Sequence, residues 1–328
     1  MRYVLVLLLS ALSGLSAAEP PLDHTYRATA DKLIAAALED TGGYEKLSFL
    51  CDRIGNRLCG SPALDRAVQW AAAQMKKDGL ENVVTPGVKV PHWVRGHESA
   101  SITEPIQRQL HLLGLGGSVA TPKEGITGEV VVVGSFDELE RFGRPAVEGK
   151  IVVYNVPFVN YGQTVQYRSH GASRAAKLGA LAALVRSITP VSLQTPHTGA
   201  MNYDADAPRI PTAAVSIEDA TLMQRLVDAG NKVVVHLTME EQTLPDADSA
   251  NVIGEIPGRE KPEELVVIGG HIDSWDVGEG AQDDGSGCIT ALEAAALIKQ
   301  LGLRPRRTIR VVLWTNEENG LAGGKAYR

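Results

Sequence analysis

The stretch "LVVIGGHIDSWDVGEGAQDDGSG", residues 265–287, joins an apolar run to a segment that holds one histidine and five acidic residues. Like charges repel, and burying each of them costs on the order of several kcal/mol unless a positive charge lies among them. The acidic residues therefore either point into water from a loop or surround a cation. The neighbouring sequence distinguishes between these two interpretations.

The apolar run and the residues after it have the pattern of a βαβ unit. "LVVIGG", residues 265–270, is continuously apolar, which predicts a strand covered on both faces of a sheet. A helix with one apolar side is predicted to begin near Ser286 and to end at Gly302. "TIRVVLWT" predicts the next buried strand, which ends at Thr315, and "NEENG" follows it directly. We therefore predict an α/β fold in which these two strands are parallel.

Polar residues follow the carboxyl ends of both strands and precede the helix between them. They are His271 and Asp273 after the first strand, Asp283 and Asp284 at the helix start, and Glu317 and Glu318 after the second strand. Ligands of open α/β sheets bind at the carboxyl ends of the strands. We therefore expect these side chains to meet at one edge of the sheet, around a cation.

The residue types at this edge indicate which cation is expected. A histidine nitrogen with carboxylate oxygens suits zinc, and less often cobalt or manganese, and does not resemble the oxygen cage of calcium. The acidic residues exceed what one tetrahedral zinc needs, which favours two metal ions that share a carboxylate. Asp273 is predicted to orient His271. Of the adjacent Glu317 and Glu318, one is predicted to bind metal and the other to take a proton from water.

Most of the other histidines have no acidic partner at a spacing typical of metal ligands. We interpret each of them as a surface residue or a hydrogen-bonded core residue. They are His92, His97, His111, His170, His197 and His236.

The net charge and the first residues of the chain exclude some classes of protein. The chain has 328 residues and a formal net charge of −7, and this mild acidity argues against a nucleic-acid partner. "MRYVLVLLLSALSGLSAAEP" has a basic start, an apolar centre and small residues before Ala18, which predicts a signal peptide over residues 1–18. No later segment has the length of a membrane span. We therefore expect a soluble protein that is secreted or periplasmic.

Three sections follow the predicted signal peptide. Residues 19–104 contain a helix with Ser61 as N-cap, Pro62 at the first helical position and Gly79 after its end. Residues 105–245 alternate short apolar runs with helical segments and are predicted to form an inserted domain. Residues 246–328 hold the βαβ unit.

The cysteines leave one alternative open. Cys51 and Cys59 could close a small disulfide loop in an oxidising compartment, or both could be free and buried. Cys288 is interpreted as a small core residue.

At "GGHIDSW", "DDGSG" and "LWTNEENGLAGG" the chain resembles family twenty-eight of the metallopeptidases, which comprises dizinc aminopeptidases and glutamate carboxypeptidases. The resemblance covers most of the chain after the signal peptide. It implies a zinc-exopeptidase (phosphorylase/hydrolase-like) fold, in which a mixed sheet is flanked by helices. It also implies that the section 105–245 is a protease-associated α+β domain, inserted between a first part of the peptidase domain, 19–104, and a second part, 246–328.

The resemblance also implies a role for each site residue. His271 would bind one zinc, Glu318 the other, and Asp283 would bridge both, with Glu317 as the general base. The implied activity is zinc-dependent hydrolysis of dipeptides or short peptides, and the implied partners are a peptide substrate and a second copy of the chain in a homodimer. Release of the C-terminal residue and aminopeptidase activity both stay open.

The family's ligand set includes a later carboxylate and a later histidine, which are expected downstream of Glu318, where "NGLAGGKAYR" follows. We therefore expect a C-terminally incomplete chain with a partial zinc shell that is inactive by itself. Two other classes of function fit the sequence less well. A non-catalytic receptor-like relative is disfavoured because His271, Asp283, Glu317 and Glu318 are all present. A two-metal phosphoesterase is disfavoured because the sequence has no glycine-rich loop beside these residues that would bind phosphate.

Overall fold

The computed structural model describes residues 22–191 and 193–328, so the predicted signal peptide lies outside the described residues. The described residues up to Thr41 and those from Gly42 onward belong to two compact units, and α1 (Leu22–Glu39) lies in the first. Within the described ranges, no helix combines the length and the apolar character needed to cross a bilayer.

The second unit contains helices and strands in mixed order. The helices are α2 (Gly42–Ser48), α3 (Pro62–Lys77), α4 (Phe136–Val147), α5 (Tyr161–Thr164), α6 (Gln166–Lys177), α7 (Ile217–Asp228), α8 (Ser286–Gln300) and α9 (Ala322–Tyr327). The strands are β1 (Glu81–Val84), β2 (Gly87–Val94), β3 (Glu98–Glu104), β4 (Arg108–Leu110), β5 (Leu112–Gly114), β6 (Ile126–Val133), β7 (Ile151–Tyr154), β8 (Ala182–Arg186), β9 (Thr212–Val215), β10 (Val234–Met239), β11 (Gln242–Ala250), β12 (Val252–Ile256), β13 (Lys261–His271) and β14 (Arg307–Trp314). Two wider helical turns, Phe49–Ile54 and Ala281–Gly285, precede α3 and α8.

The first sheet carries the predicted βαβ unit. Its strand order is β1-β12-β14-β13, and β13 and β14 are parallel, with His271 beside Trp314. Helix α8 connects these two strands, and its Leu292 is fully buried in the same core as Leu313 of β14. Residues that follow β13 and residues that follow β14 therefore emerge at one edge of the sheet.

The prediction that β13 is covered on both faces is wrong. β13 is the outer strand of the first sheet in the described part of the chain. Leu265, Val266 and Val267 are 42%, 45% and 41% exposed, whereas Val311 and Leu313 of β14 are fully buried. A side chain on an outer strand has neighbouring strands on one flank only, and so an apolar run there stays partly in water.

The second sheet is built from residues between Glu98 and Met239. Its strand order is β4-β3-β10-β6-β7-β8-β9-β5, and β6 to β9 are parallel. Val153 and Leu184 are fully buried in its core. The predicted inserted section, 105–245, overlaps this sheet, although the sheet begins a few residues earlier. The assignment of this section as a separate protease-associated domain stays a prediction.

Within the described residues, the chain passes through β2 on the way from the first sheet to the second and through β11 on the way back, and two connections join these strands to the second sheet. One runs from β2 to β3 and the other from β10 to β11. β2 and β11 pair as an antiparallel ribbon next to these connections. The ribbon therefore places the ends of both connections side by side.

Local sequence signals explain the boundaries of α3. The Ser61 side chain accepts a hydrogen bond from the Leu64 N–H at 3.2 Å, and Pro62 occupies the first helical turn. Gly79 after the helix has a φ of 82°, a conformation that glycine adopts without steric cost. These three positions agree with the sequence prediction.

The cysteines are all free and buried. Cys51 and Cys59 therefore form no disulfide in this structure, which answers the alternative that the sequence left open. Cys288 is 1% exposed and its thiol contacts the His271 carbonyl at 3.1 Å, as expected of a core residue.

The N-cap of α3 gives a test of the fold. We expect Ser61→Ala to lower the free energy of unfolding by about 1 kcal/mol, because the Leu64 N–H loses its side-chain acceptor. Ser61→Asp, which supplies another acceptor, is the matched control and should retain most of the stability. Urea unfolding followed by circular dichroism measures both, and equal losses in the two variants would contradict the assigned cap.

Candidate metal centre

His271 is the last residue of β13 and is held from three directions. Its backbone N–H donates to Asp284 Oδ2 at 3.0 Å. Its ring Nδ1 lies 3.0 Å from the backbone carbonyl oxygen of Asp273, and its Nε2 lies 3.0 Å from Asp283 Oδ1. Because a carbonyl only accepts, Nδ1 carries a proton, and Nε2, which faces a carboxylate oxygen, either carries a second proton or offers its lone pair to a cation.

The adjacent Asp283 and Asp284 have different surroundings. Asp284 accepts the backbone N–H of His271 and, at 3.1 Å, that of Gly287 at the start of α8. Its carboxylate therefore ties the strand end to the helix start. Asp283 instead points toward His271 Nε2, and its side chain is 67% exposed. Of this pair, Asp283 is the residue that is free to bind a ligand.

Asp273 anchors the turn that follows β14. It is fully buried, and its two carboxylate oxygens accept the backbone N–H groups of Glu317 at 3.1 Å and Glu318 at 3.2 Å. Burial raises the pKa of the Asp273 carboxyl, and the two N–H groups and His271 oppose that rise. The Asp273 carboxylate lies 3.7 Å from His271 Nδ1, so the ring is held by the Asp273 carbonyl and not by the predicted carboxylate.

The predicted metal ligands come together at this edge. His271, Asp283 and Glu318 each offer a donor atom, and these atoms all lie within 4.8 Å of one another. Glu317 Oε2 is 3.8 Å from His271 Nε2, and its side chain is 52% exposed. The structure thus brings these four predicted side chains together at the end of β13.

The carboxyl groups of this cluster lie close together with too little positive charge among them, and their pKa values are shifted as a result. Burial, followed by repulsion from Asp283, raises the pKa of Glu318 to about 8. Burial alone would lower the pKa of His271, but Asp273, Glu317, Glu318 and Asp284 raise it above its ordinary value. Both shifts mean that a positive charge among these side chains, either a proton or a metal ion, is stabilised.

Arg57 holds the acid-rich loop through hydrogen bonds to its backbone, a role that the sequence alone did not indicate. The residue is fully buried, and its guanidinium donates to the carbonyls of Ile272 at 2.6 Å, Glu279 at 2.8 Å and Gly280 at 2.9 Å. Its backbone N–H donates to the Ser274 hydroxyl at 3.1 Å. No local pattern in "IGNRL" indicates these contacts, because they join segments more than 200 residues apart.

Three other histidines have partners outside this group, whereas His197 is close enough to Asp283 for that carboxylate to oppose the lowering of the His197 pKa by burial and by Arg168. His111 contacts Asp219 at 2.9 Å, and His236 contacts the Thr127 hydroxyl at 2.8 Å. The ring of His92 packs against Gly60. Among the residues that the structure describes, the cluster of three or more potential metal donors is the one formed by His271, Asp283 and Glu318.

Comparisons with known proteins identify the family that the chain resembles. The model of "Peptidase family M28" matches residues 251–328, which contain every residue of the cluster. The chain is 54% identical over 284 residues to carboxypeptidase Q of Bos taurus, a match that covers 87% of this chain and 60% of that protein. This chain thus spans less than two thirds of the length of that curated relative.

Two solved structures share the fold. The crystal structure of a peptidase M28 precursor from Shewanella amazonensis is 37% identical, with a TM-score of 0.90, and the match covers 93% of this chain and 70% of that chain. A zinc aminopeptidase from Bacillus subtilis is 24% identical with a TM-score of 0.65, covering 87% of this chain and 63% of that chain, a likeness in fold alone. The predicted α/β sheet flanked by helices is therefore confirmed, and the chain belongs to peptidase family M28.

Proposed function

We propose that the protein is a zinc-dependent exopeptidase that hydrolyses dipeptides or short peptides and removes the C-terminal residue, as the name of its relative carboxypeptidase Q indicates. The observation that carries the proposal is the convergence of His271, Asp283 and Glu318 within 4.8 Å, with the Glu317 carboxylate beside them. The similarity to carboxypeptidase Q extends over 87% of this chain.

The side chains present fit zinc. One imidazole nitrogen and two carboxylate oxygens are the donors that catalytic zinc sites use. The Asp273 carbonyl holds the Nδ1 proton of His271, so that Nε2 faces the carboxylates. His271, Asp283 and Glu318 would hold the zinc. Zinc, when bound, polarises the scissile carbonyl and makes water more acidic.

Glu317 is proposed as the general base. Its carboxylate is half exposed and lies 3.8 Å from His271 Nε2, which leaves it open to a water molecule at the centre. It takes a proton from the attacking water and returns that proton to the leaving amine. Asp273 serves as a positioning residue, because it binds the backbone N–H groups of Glu317 and Glu318 and so fixes where both carboxylates begin.

Export, and assembly as a homodimer, are also parts of this proposal. Export rests on the signal-peptide pattern of residues 1–18. The homodimer rests on the family resemblance, and gel filtration with light scattering tests it directly.

The metal ligands give the first functional prediction. We expect His271→Ala and Asp283→Asn to weaken zinc binding by more than about 100-fold, because even residues that only orient ligands contribute about 10–100-fold. Zinc competition with a fluorescent chelator measures the affinity. Glu279→Gln is the matched control, because it removes an exposed acid of the same loop outside the cluster. An equal loss in the control would mean that the loop attracts cations only by its general charge.

The general base gives the second functional prediction. In a protein that also carries the later carboxylate and histidine of the family's ligand set, we expect Glu317→Gln to lower kcat for dipeptide hydrolysis by about 10²–10⁴-fold while zinc content is unchanged. Equal rates for this variant and the unmodified protein would contradict the assigned role.

Two blocked substrates identify which terminus of the peptide the enzyme recognises. An N-acetylated dipeptide should be cleaved and a C-amidated dipeptide should resist, whereas the reverse result would indicate an aminopeptidase.

A further inference from the structure

A buried group of charged residues lies where the chain passes between the two sheets. Arg95 lies in the connection from β2 to β3, Glu98 is the first residue of β3, and Glu241 lies in the connection from β10 to β11. Asp276 joins them from the loop that follows the metal-site strand. We call these four residues the latch.

The two glutamates of the latch meet at Gly114, the last residue of β5. Glu98 Oε2 accepts the Gly114 N–H at 2.7 Å. A Cβ atom at Gly114 would lie 2.3 Å from Glu241 Oε1 and 2.6 Å from Glu98 Oε2, so both carboxyl groups occupy the space beside this glycine. Glu241 is 3% exposed, and neither of its oxygens has a hydrogen-bond donor. An ionised carboxylate in that position would have lost its water, and the nearby charge of Arg95 would compensate only in part.

Arg95 is the positively charged residue of the latch, and its strongest ion pair is with Asp276. The guanidinium binds both Asp276 oxygens at 2.7 Å and donates to the Gly114 carbonyl at 2.5 Å. Its distance to Glu98 Oε2 is 3.5 Å. One cation therefore faces three carboxyl groups, and the remaining pair is like-charged unless it holds a proton. The other titratable groups on these connections, His97 and Glu240, are exposed.

We propose that Glu98 and Glu241 share one proton and act as a pH-dependent latch between the two sheets. With the proton in place, one carboxyl group donates to the other and the connections stay together. When the proton leaves, two carboxylates face each other out of water, and the connections separate to let water reach them. This inference does not depend on the proposed peptidase activity.

The expected pH range follows from the burial of Glu241. Burial, followed by the charge of Glu98, raises the pKa of Glu241 from 4.5 to about 8. The closed latch thus binds a proton that the open, hydrated form releases near pH 4.5. The form that holds more protons is favoured at low pH. The closed state is therefore fully favoured below this range and weakens progressively as the pH rises toward about 8.

The latch is connected to the metal centre through one loop. Asp276, which Arg95 binds, lies three residues after Asp273, and Asp273 holds the turn of Glu317 and Glu318. Between them, the Trp275 ring packs so closely on Gly116 that a Cβ there would lie 2.0 Å from the ring. Opening of the latch therefore loosens the loop at both Asp276 and Trp275.

Hydrogen–deuterium exchange of the 328-residue chain at pH 6 and pH 9 tests the proposal, after correction for the intrinsic pH dependence of exchange. We expect exchange at residues 95–98, 240–242 and 273–276 to be at least about tenfold faster at pH 9, since each unit of pKa difference changes an equilibrium tenfold. Residues 62–77 of α3 are the internal reference. Corrected rates that are the same at both pH values would overturn the proposal.

Variants of the two glutamates show whether the faster exchange at pH 9 comes from loss of the shared proton or from a general effect of high pH. Glu241→Gln supplies a permanent donor to Glu98, so its corrected exchange should stay slow at pH 9. Glu98→Gln removes the same repulsion from the other side and serves if Glu241→Gln does not fold. Glu240→Gln removes the neighbouring exposed charge and should keep the pH dependence of the unmodified chain. A Glu241→Gln or Glu98→Gln protein that retains that dependence would rule the latch out.

Discussion

The binding of backbone carbonyls by the buried Arg57 is the constraint on which the metal centre depends. The guanidinium holds the carbonyls of Ile272, Glu279 and Gly280, which bracket the acid-rich loop. Arginine stays charged in proteins, and its fork of N–H groups has a rigid shape. It therefore supplies two things that the loop lacks, namely a fixed geometry and a positive charge beneath a set of carboxylates. Without it, buried carbonyls would lose their donors and the acids would repel one another with less compensation.

Two of the acids act on the backbone and leave the others free. Asp273 binds the N–H groups of Glu317 and Glu318, and Asp284 binds those of His271 and Gly287. These contacts join the end of β13 to the end of β14 and to the start of α8. The carboxylates that remain, those of Asp283, Glu317 and Glu318, face a common space. Carboxylates thus serve in two ways, as acceptors for backbone N–H groups and as side chains that face the candidate metal centre.

The sequence predicted those features that depend on neighbours along the chain. The βαβ unit, the N-cap at Ser61 and the convergence of His271, Asp283 and Glu318 follow from local patterns and from the direction of parallel strands. Contacts between distant segments were not accessible in this way. The exposure of β13 depends on which strand lies at the sheet edge, and the partners of Arg57 and Glu241 depend on how the two sheets are arranged. The carbonyl that holds His271 was missed because sequence patterns describe side chains and not the direction of a peptide group.

The anchoring of the Glu317–Glu318 turn through its peptide groups has a consequence for protein engineering. Asp273 contacts no side-chain atom of either glutamate in these bonds, so it holds the turn whatever side chains positions 317 and 318 carry. The backbone of the turn should therefore keep its position when the side chains at 317 and 318 are exchanged. A different donor atom, such as an imidazole or a thiolate, can be introduced at either position while the backbone that aims it is retained. The same independence makes this turn a suitable starting point for altering the metal preference of the scaffold.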